Sequence, residues 1–321
     1  MLELKPMPQT CSQGLKYFYE AKSVLKSEIV AFEGFENKDI YNPSVPFKWN
    51  DEEIIVCRVE ARDSERSNAV FFKKQQDKWV VRPNSPVFEL QDPFVTVIGD
   101  ELILGGVRVF WENGRIVSWC TDFYKGKSIE RLSLFLTGPG DMKDIRLIEL
   151  ADGRVGIFSR PHGDKILERY GCKAMIGFTI ENSLSEVTAK SIENAPIIEG
   201  QFASGEWGGC NHLQLMNNNR IAIAGHKSRE EMIDGQAVLH YYSMAFVFDP
   251  ITLKMSPCEI ICTRDSFPHG PAKQPGLKDV TFTAGLLRNN DGTADIYTGL
   301  SDCQIGRATI KDPFLKYEIG Y

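Results

Sequence analysis

The chain has 321 residues, of which 42% are hydrophobic and 25% charged, as in ordinary globular proteins with a large core. Its formal net charge of −6 argues against nucleic acid or an anionic membrane as a partner. The first residues, Met-Leu-Glu-Leu-Lys-Pro, lack the basic and apolar regions of a signal peptide. No apolar run approaches the ~20 residues that span a bilayer. We therefore expect a cytoplasmic protein without a membrane partner.

Short β-branched or aromatic runs, bounded by Gly, Asn and Asp turns, dominate the chain. They predict strands at 54–59, 69–72, 94–98, 102–109, 145–150, 155–159, 174–180, 212–216, 221–226, 244–249, 280–287 and 294–297. Helical periodicity is weak, and its best candidate is the short segment 228–237.

A strand, a turn and a second strand recur near 54–72, 94–109, 145–159, 212–226 and 280–297. Their spacing, roughly 40–65 residues, is typical of propeller blades with uneven loops. We therefore predict an all-β fold, a five-bladed β-propeller with an axial active-site pocket, in a single domain. The blades are expected at roughly 42–90, 91–140, 141–200, 201–265 and 266–321. A pair of β-sandwiches is the alternative.

Eight cysteines are scattered along the chain, most of them within apolar runs. A cytoplasmic chain keeps such thiols reduced, so we expect them to be buried and unpaired. Cys258 and Cys262 have no second Cys or His pair at zinc-finger spacing, and no metal site is predicted.

The segment 143–161 is predicted to be a hairpin that turns at Asp152-Gly153. Its two open ends bring charged residues together, which favours an anion site formed by Arg146, Arg160, His226 and Lys227. A two-residue turn would place Arg146 and Arg160 on opposite faces, and one bulge residue would align them. The alternative is an internal ion pair of Arg146 with Asp144 or Glu149.

Other polar residues recur where the inner strands are expected to begin, so a propeller would gather them around one axial pocket. They are Asn42, Arg58, Glu60, Asp144, Asn211, Asp279 and Asp302. Asp92 precedes Pro93, which predicts an extended backbone and a carboxyl group presented as a proton donor; a turn or cap is the alternative. Trp207, in a glycine-rich loop, is either a platform for a sugar ring or a buried structural residue.

Several short stretches, taken in order, resemble the β-mannoside phosphorylase superfamily, glycoside hydrolase family 130. They are Asn42-Pro43, 58–62, Asp92-Pro93, Arg160-Pro161, Gly225-His226, 282–285 and 297–302. The 143–146 start of the hairpin is similar to a divergent branch, the mannosyltransferases and phosphorylases of β-1,2-mannan metabolism (glycosyltransferase family 108), many of them uncharacterised. Gln91 and Phe94 depart from the family pattern, which has an acidic residue and often an arginine there.

The resemblance implies an inverting reaction at β-mannosides with Asp92 as general acid. It also implies roles for six further residues: phosphate binding by Arg146, Arg160 and His226, and mannose contacts by Asn42, Arg58 and Asp302. In a phosphorylase phosphate is itself the nucleophile, so the site needs cations rather than a second carboxylate.

We therefore expect phosphorolysis of β-1,2-linked mannooligosaccharides to α-mannose 1-phosphate, with phosphate as co-substrate and no other cofactor. The alternatives are a GDP-mannose-dependent β-mannosyltransferase, a hydrolase with Glu60 or Glu206 as base, and a sugar-binding propeller without catalysis. The sequence leaves open whether the protein is a homo-oligomer.

Overall fold

A computed structural model describes residues 8–318 of the chain. Residues 1–6, on which the expectation about a signal peptide rests, lie outside this part, as do residues 319–321 at the end of the fifth predicted blade. No helix within 8–318 is long and apolar enough to cross a membrane. Strands in curled sheets dominate, which is consistent with a β-propeller-like fold and confirms the all-β class.

The described chain begins with a helix that the sequence analysis did not predict. Helix α1 (Cys11–Ala21) starts at a capping box, in which Gln13 N donates to Thr10 Oγ1 at 3.1 Å and Thr10 N to Gln13 Oε1 at 3.0 Å. It leads into β1 (Val24–Ile29), which pairs antiparallel with the last strand of the chain. The first strand therefore completes the sheet formed by the C-terminal strands.

Strands β2 to β14 form three sheets in chain order. The first contains β2 (Phe32–Glu33), β3 (Asp39–Tyr41), β4 (Phe47–Trp49), β5 (Glu52–Glu60), β6 (Asn68–Gln75) and β7 (Lys78–Val81). The second contains β8 (Gln91–Ile98), β9 (Glu101–Glu112), β10 (Arg115–Gly126) and β11 (Ser133–Thr137). The third contains β12 (Arg146–Glu149), β13 (Val155–Ser159) and β14 (Gly177–Glu181), accompanied by the short helices α2 (Asp164–Tyr170) and α3 (Ala189–Glu193).

The fourth sheet has nine strands and includes β1. Its other members are β15 (Trp207–Leu215), β16 (Ile221–Ile233), β17 (Gln236–Asp249), β18 (Lys254–Met255), β19 (Glu259–Cys262), β20 (Asp279–Arg288), β21 (Thr293–Leu300) and β22 (Gln304–Lys311). A short parallel pairing of β17 with β20, at residues 240–241 and 279–280, joins two antiparallel groups into this one sheet.

All five predicted strand pairs are antiparallel hairpins: β5–β6, β8–β9, β12–β13, β15–β16 and β20–β21. The predicted helix at 228–237 is wrong, because those residues continue β16 and β17 around a tight turn. Asp234 and Gly235 have φ angles of 50° and 75° there, the conformation that Asp-Gly favours in two-residue hairpins.

Aromatic packing fixes the position of the charged hairpin. Phe158 of β13, Phe178 of β14 and Phe248 of β17 contact one another, with ring centroids 4.7–5.5 Å apart. A fully buried phenylalanine contributes about 1.5–3 kcal/mol, so this cluster holds β12–β13 firmly against the fourth sheet. All eight cysteines are buried and unpaired, as predicted.

Candidate active site

Four polar residues at or beside strand ends have left-handed backbones. Asn42, Asp92, Asp144 and Asp302 have φ angles of 40°, 48°, 59° and 54°. Outside glycine, Asn and Asp adopt this conformation most readily, and strained backbone often accompanies function. The expectation that Pro93 keeps Asp92 extended is wrong, since a register shift between Gln91 and Phe94 accompanies its positive φ.

The Asp92 carboxylate is held through one of its two oxygens. Asn42 Nδ2 donates to Asp92 Oδ1 at 2.8 Å, and Arg58 Nη1 lies 3.2 Å from the same atom. Gly299 makes room for this arrangement, because a Cβ there would lie 1.9 Å from Asn42 Oδ1. No hydrogen bond from residues 8–318 reaches Asp92 Oδ2, which leaves that oxygen available to carry a proton.

A closed ring of four charges supports Arg58. Its Nη2 lies 3.0 Å from Glu60 Oε2 and 2.8 Å from Glu65 Oε2, and both glutamates also bind Lys273 Nζ, with 2.6 Å to Glu65 Oε1. Burial opposes ionisation of Glu60, but Arg58 and Lys273 hold its pKa below the usual value. The ring occupies Nη2 of Arg58 and directs Nη1 towards Asp92. The sequence analysis missed Glu65 and Lys273, because both lie in loops without a recognisable motif.

Asp302 lies in the electrostatic field of the same group. Burial raises its pKa to about 6, against the positive charges of Arg58 and Lys273, while the negative charge of Asp92 raises it further. The carboxyl groups of Asp302 and Asp92 therefore interact electrostatically.

The hairpin register that the sequence left open is settled by the turn. Arg146 pairs with Phe158, and the three residues 151–153 form the turn, with Gly153 at a φ of 82°. Arg160, two residues beyond Phe158, therefore shares the face of Arg146. The third turn residue aligns the two arginines, as one bulge residue was expected to do.

Arg160, Asp144, His226 and Asn211 form one buried polar cluster. Arg160 Nη1 lies 3.3 Å from Asp144 Oδ2, which is 3.9 Å from His226 Nε2. His226 Nδ1 is hydrogen-bonded to Asn211 Oδ1 at 2.8 Å. Burial lowers the pKa of His226 to about 3, so its ring is neutral and adds no positive charge to the cluster.

Arg146 contacts this cluster through the backbone of Asn211. Its Nε donates to the Asn211 carbonyl at 2.7 Å, and its guanidinium carbon lies 3.9 Å from the ring centroid of Phe94. Phe94 follows Asp92 by two residues in β8, so this contact brings the segment of the expected acid against Arg146 of β12, a strand of the next sheet. Lys143, half-buried and electrostatically coupled to Asp144 and His226, is a further cation that the sequence analysis did not assign to the site.

Three predicted site residues lie elsewhere. Lys227 and its neighbour His226 point to opposite sides of β16, and the Lys227 ammonium pairs with Glu206 at 3.1 Å and donates to the Gln9 carbonyl. Trp207 is buried, with Nε1 3.3 Å from Tyr241 Oη, so its ring has no free face for a sugar.

Asp279 is also separate from the cluster. Its Oδ2 lies 2.6 Å from His240 Nδ1 and accepts from Tyr242 Oη at 3.1 Å. The aromatic rings that contact the cluster are those of Tyr241, stacked on His226 with centroids 5.3 Å apart, and Phe282, tilted against His226 at 5.2 Å.

Two solved structures resemble the whole chain closely. A mannose phosphorylase from Leishmania mexicana, MPT-4, determined with a phosphate ion, is 37% identical, with a TM-score of 0.87 over 94% of this chain and 93% of its own. MPT-1 from the same organism, a GDP-Man-dependent mannosyltransferase, is 33% identical, with a TM-score of 0.87 over 95% of each chain. These two matches support the divergent branch named above.

A β-1,2-mannobiose phosphorylase from Listeria innocua shares the fold, with 14% identity and a TM-score of 0.61 over 89% of this chain and 94% of its own. That likeness supports the fold and not membership of glycoside hydrolase family 130. A search of curated proteins finds no match.

The fold, the polar cluster and these two relatives define an enzyme of the glycoside phosphorylase and glycosyltransferase class. Residues 16–316 match the model of one family, described as "Protein of unknown function (DUF1861)", and the chain belongs to that family.

Proposed function

We propose that the protein catalyses inverting phosphorolysis of β-mannosides, β-1,2-linked mannooligosaccharides in particular, and releases α-mannose 1-phosphate. One observation carries the proposal: Asp92 lies two residues from Phe94, whose ring contacts Arg146 of the cluster that also contains Arg160 and Lys143. Phosphate is the nucleophile, held by the arginines, and Asp92 protonates the leaving oxygen from its Oδ2. The resemblance to MPT-4, a mannose phosphorylase with a phosphate ion, supports this.

The contacts disfavour hydrolysis by the carboxylates first considered as bases. An inverting hydrolase needs a carboxylate that can activate water. Glu60 is buried and bound by Arg58 and Lys273, and Glu206 pairs with Lys227 and accepts from Cys11 N at 2.6 Å. Neither oxygen pair is available to a water molecule beside the sugar.

We further propose that the strands form one domain of five blades around an axial pocket. Five chain segments line a common cavity of about 260 Å³ beneath Arg146, which supports closure into a ring. They are 45–47, 94–97, 146–147, 211–213 and residue 287, one from each predicted blade. A cytoplasmic location and the lack of any cofactor other than phosphate are part of the same proposal.

The second candidate is mannosyl transfer from GDP-mannose, which the resemblance to MPT-1 favours. Two incubations of the purified protein distinguish the candidate activities. One contains β-1,2-mannobiose, with and without phosphate, and the other contains GDP-mannose and mannose. Phosphate-dependent formation of α-mannose 1-phosphate supports the first candidate. Consumption of GDP-mannose with no phosphorolysis supports the second, and free mannose released without phosphate contradicts both.

A further inference from the structure

Two hydrogen-bond acceptors face each other inside the proposed phosphate site. His226 Nδ1 lies 2.8 Å from Asn211 Oδ1, an oxygen that can only accept, so a neutral His226 ring places its hydrogen on Nδ1 and its lone pair on Nε2. The Nε2 atom lies 3.9 Å from Asp144 Oδ2, and both side chains are buried. Two acceptors without a hydrogen between them are unfavourable at such a position.

The Asp144 carboxylate is ionised and short of donors. Burial opposes its ionisation, but the positive charges of Arg160, Arg146 and Lys143 hold its pKa below the usual value. Arg160 Nη1 lies nearby without forming a hydrogen bond, and no other donor in residues 8–318 bonds to Asp144 Oδ2. Buried carboxylate oxygens normally accept hydrogen bonds, so this atom calls for a donor from a ligand.

The same site also offers donors. Asn211 Nδ2 is buried without a partner in the described part of the chain. Arg146 and Arg160 use their Nε atoms on the carbonyls of Asn211 and Gly208, which leaves their Nη2 groups for a ligand. Three cations, Arg146, Arg160 and Lys143, surround the single carboxylate of Asp144, so positive charge exceeds negative charge around it. An oxyanion with two negative charges and one hydroxyl group satisfies both sets of groups.

We propose that Asp144 accepts the hydroxyl hydrogen of monohydrogen phosphate and thereby selects phosphate over sulfate. Sulfate has the same shape and charge but carries no proton at neutral pH, so its oxygens would face the carboxylate without a hydrogen bond. Sites built around a ligand hydroxyl reject analogues that lack it by large factors. The inference rests on the proposed phosphorylase function, because it assigns a specificity role within that anion site.

The test measures binding of sodium phosphate and sodium sulfate to the full chain by titration calorimetry at pH 7.5. In the wild-type protein we expect phosphate to bind at least about 100-fold more tightly than sulfate. In Asp144→Asn this preference falls below about 5-fold, mainly because sulfate binds more tightly. Asn suits the φ of 59° at this position. Asp141→Asn is the matched control, since exposed Asp141 has a φ of 56° and its variant keeps the wild-type preference.

The inference is overturned if the wild-type protein binds sulfate within about 5-fold of phosphate, or binds neither ion. It is also overturned if Asp144→Asn keeps the wild-type preference, or if Asp144→Asn weakens the binding of both ions equally. The last result would mean that Asp144 only positions Arg160. Should Asp144→Asn fail to fold, Asp144→Ser replaces it in the same comparison with the wild-type protein. Selective phosphate binding without any phosphorolysis would refute the proposed function while leaving the selectivity of Asp144 intact.

Discussion

Replacing Asp92 by asparagine tests the assigned acid with little disturbance of the structure. The amide oxygen can occupy the place of Oδ1 and keep the contacts with Asn42 Nδ2 and Arg58 Nη1, at 2.8 and 3.2 Å. The amide nitrogen then replaces Oδ2 and cannot transfer a proton to the leaving oxygen. General acid catalysis contributes about 10²–10⁴-fold, so we expect kcat to fall by that factor, about 3–5 kcal/mol in barrier.

The assay follows phosphate-dependent release of mannose 1-phosphate from β-1,2-mannobiose and, in parallel, from a nitrophenyl β-mannoside. The nitrophenolate leaves without protonation, so Asp92→Asn should lose far less activity on it, and affinity for the mannoside should change by less than about threefold. Asp77→Asn, in an exposed turn, is the control. Equal losses on both substrates, or unchanged turnover of mannobiose, would refute the assignment.

Three further predictions concern the surroundings of the site. Lys273→Met removes the cation that Glu65 shares with the fully buried Glu60, and should lower the free energy of unfolding by about 3 kcal/mol in urea titrations, whereas exposed Lys278→Met should not. Gly209→Ala places a Cβ 2.9 Å from Arg160 Cδ, so KM for phosphate should rise while mannoside affinity is kept; an unchanged KM would contradict the site. Asp302 has a native pKa of about 6, above the ~3.9 of an unfolded chain, so the native state holds its proton more tightly and wild-type stability falls as pH rises between these values. Asp302→Asn removes that loss, and unfolding at pH about 4.5 and 7.5 should show its advantage only at the higher pH.

Features that depend on a few neighbouring residues were predictable. The Asp152-Gly153 turn and the five hairpins follow from local backbone preferences and alternating apolar residues. The predicted helix at 228–237 is wrong for a local reason too, because Asp234-Gly235 is itself a sequence signal for a hairpin turn. Helix α1 was equally readable from the Thr10–Gln13 capping box.

The sequence by itself determined the strand-rich class, the hairpin with its charged end and the candidacy of Asp92, because each rests on adjacent residues. Only the tertiary structure decided which charges meet. His226 and Lys227 are neighbours in the chain, yet one joins Asp144 and the other Glu206, since successive strand residues face opposite sides. Lys273 reaches Glu60 across more than 200 residues, a contact that no local pattern encodes. The burial that leaves His226 neutral likewise exists only once the surrounding strands have packed.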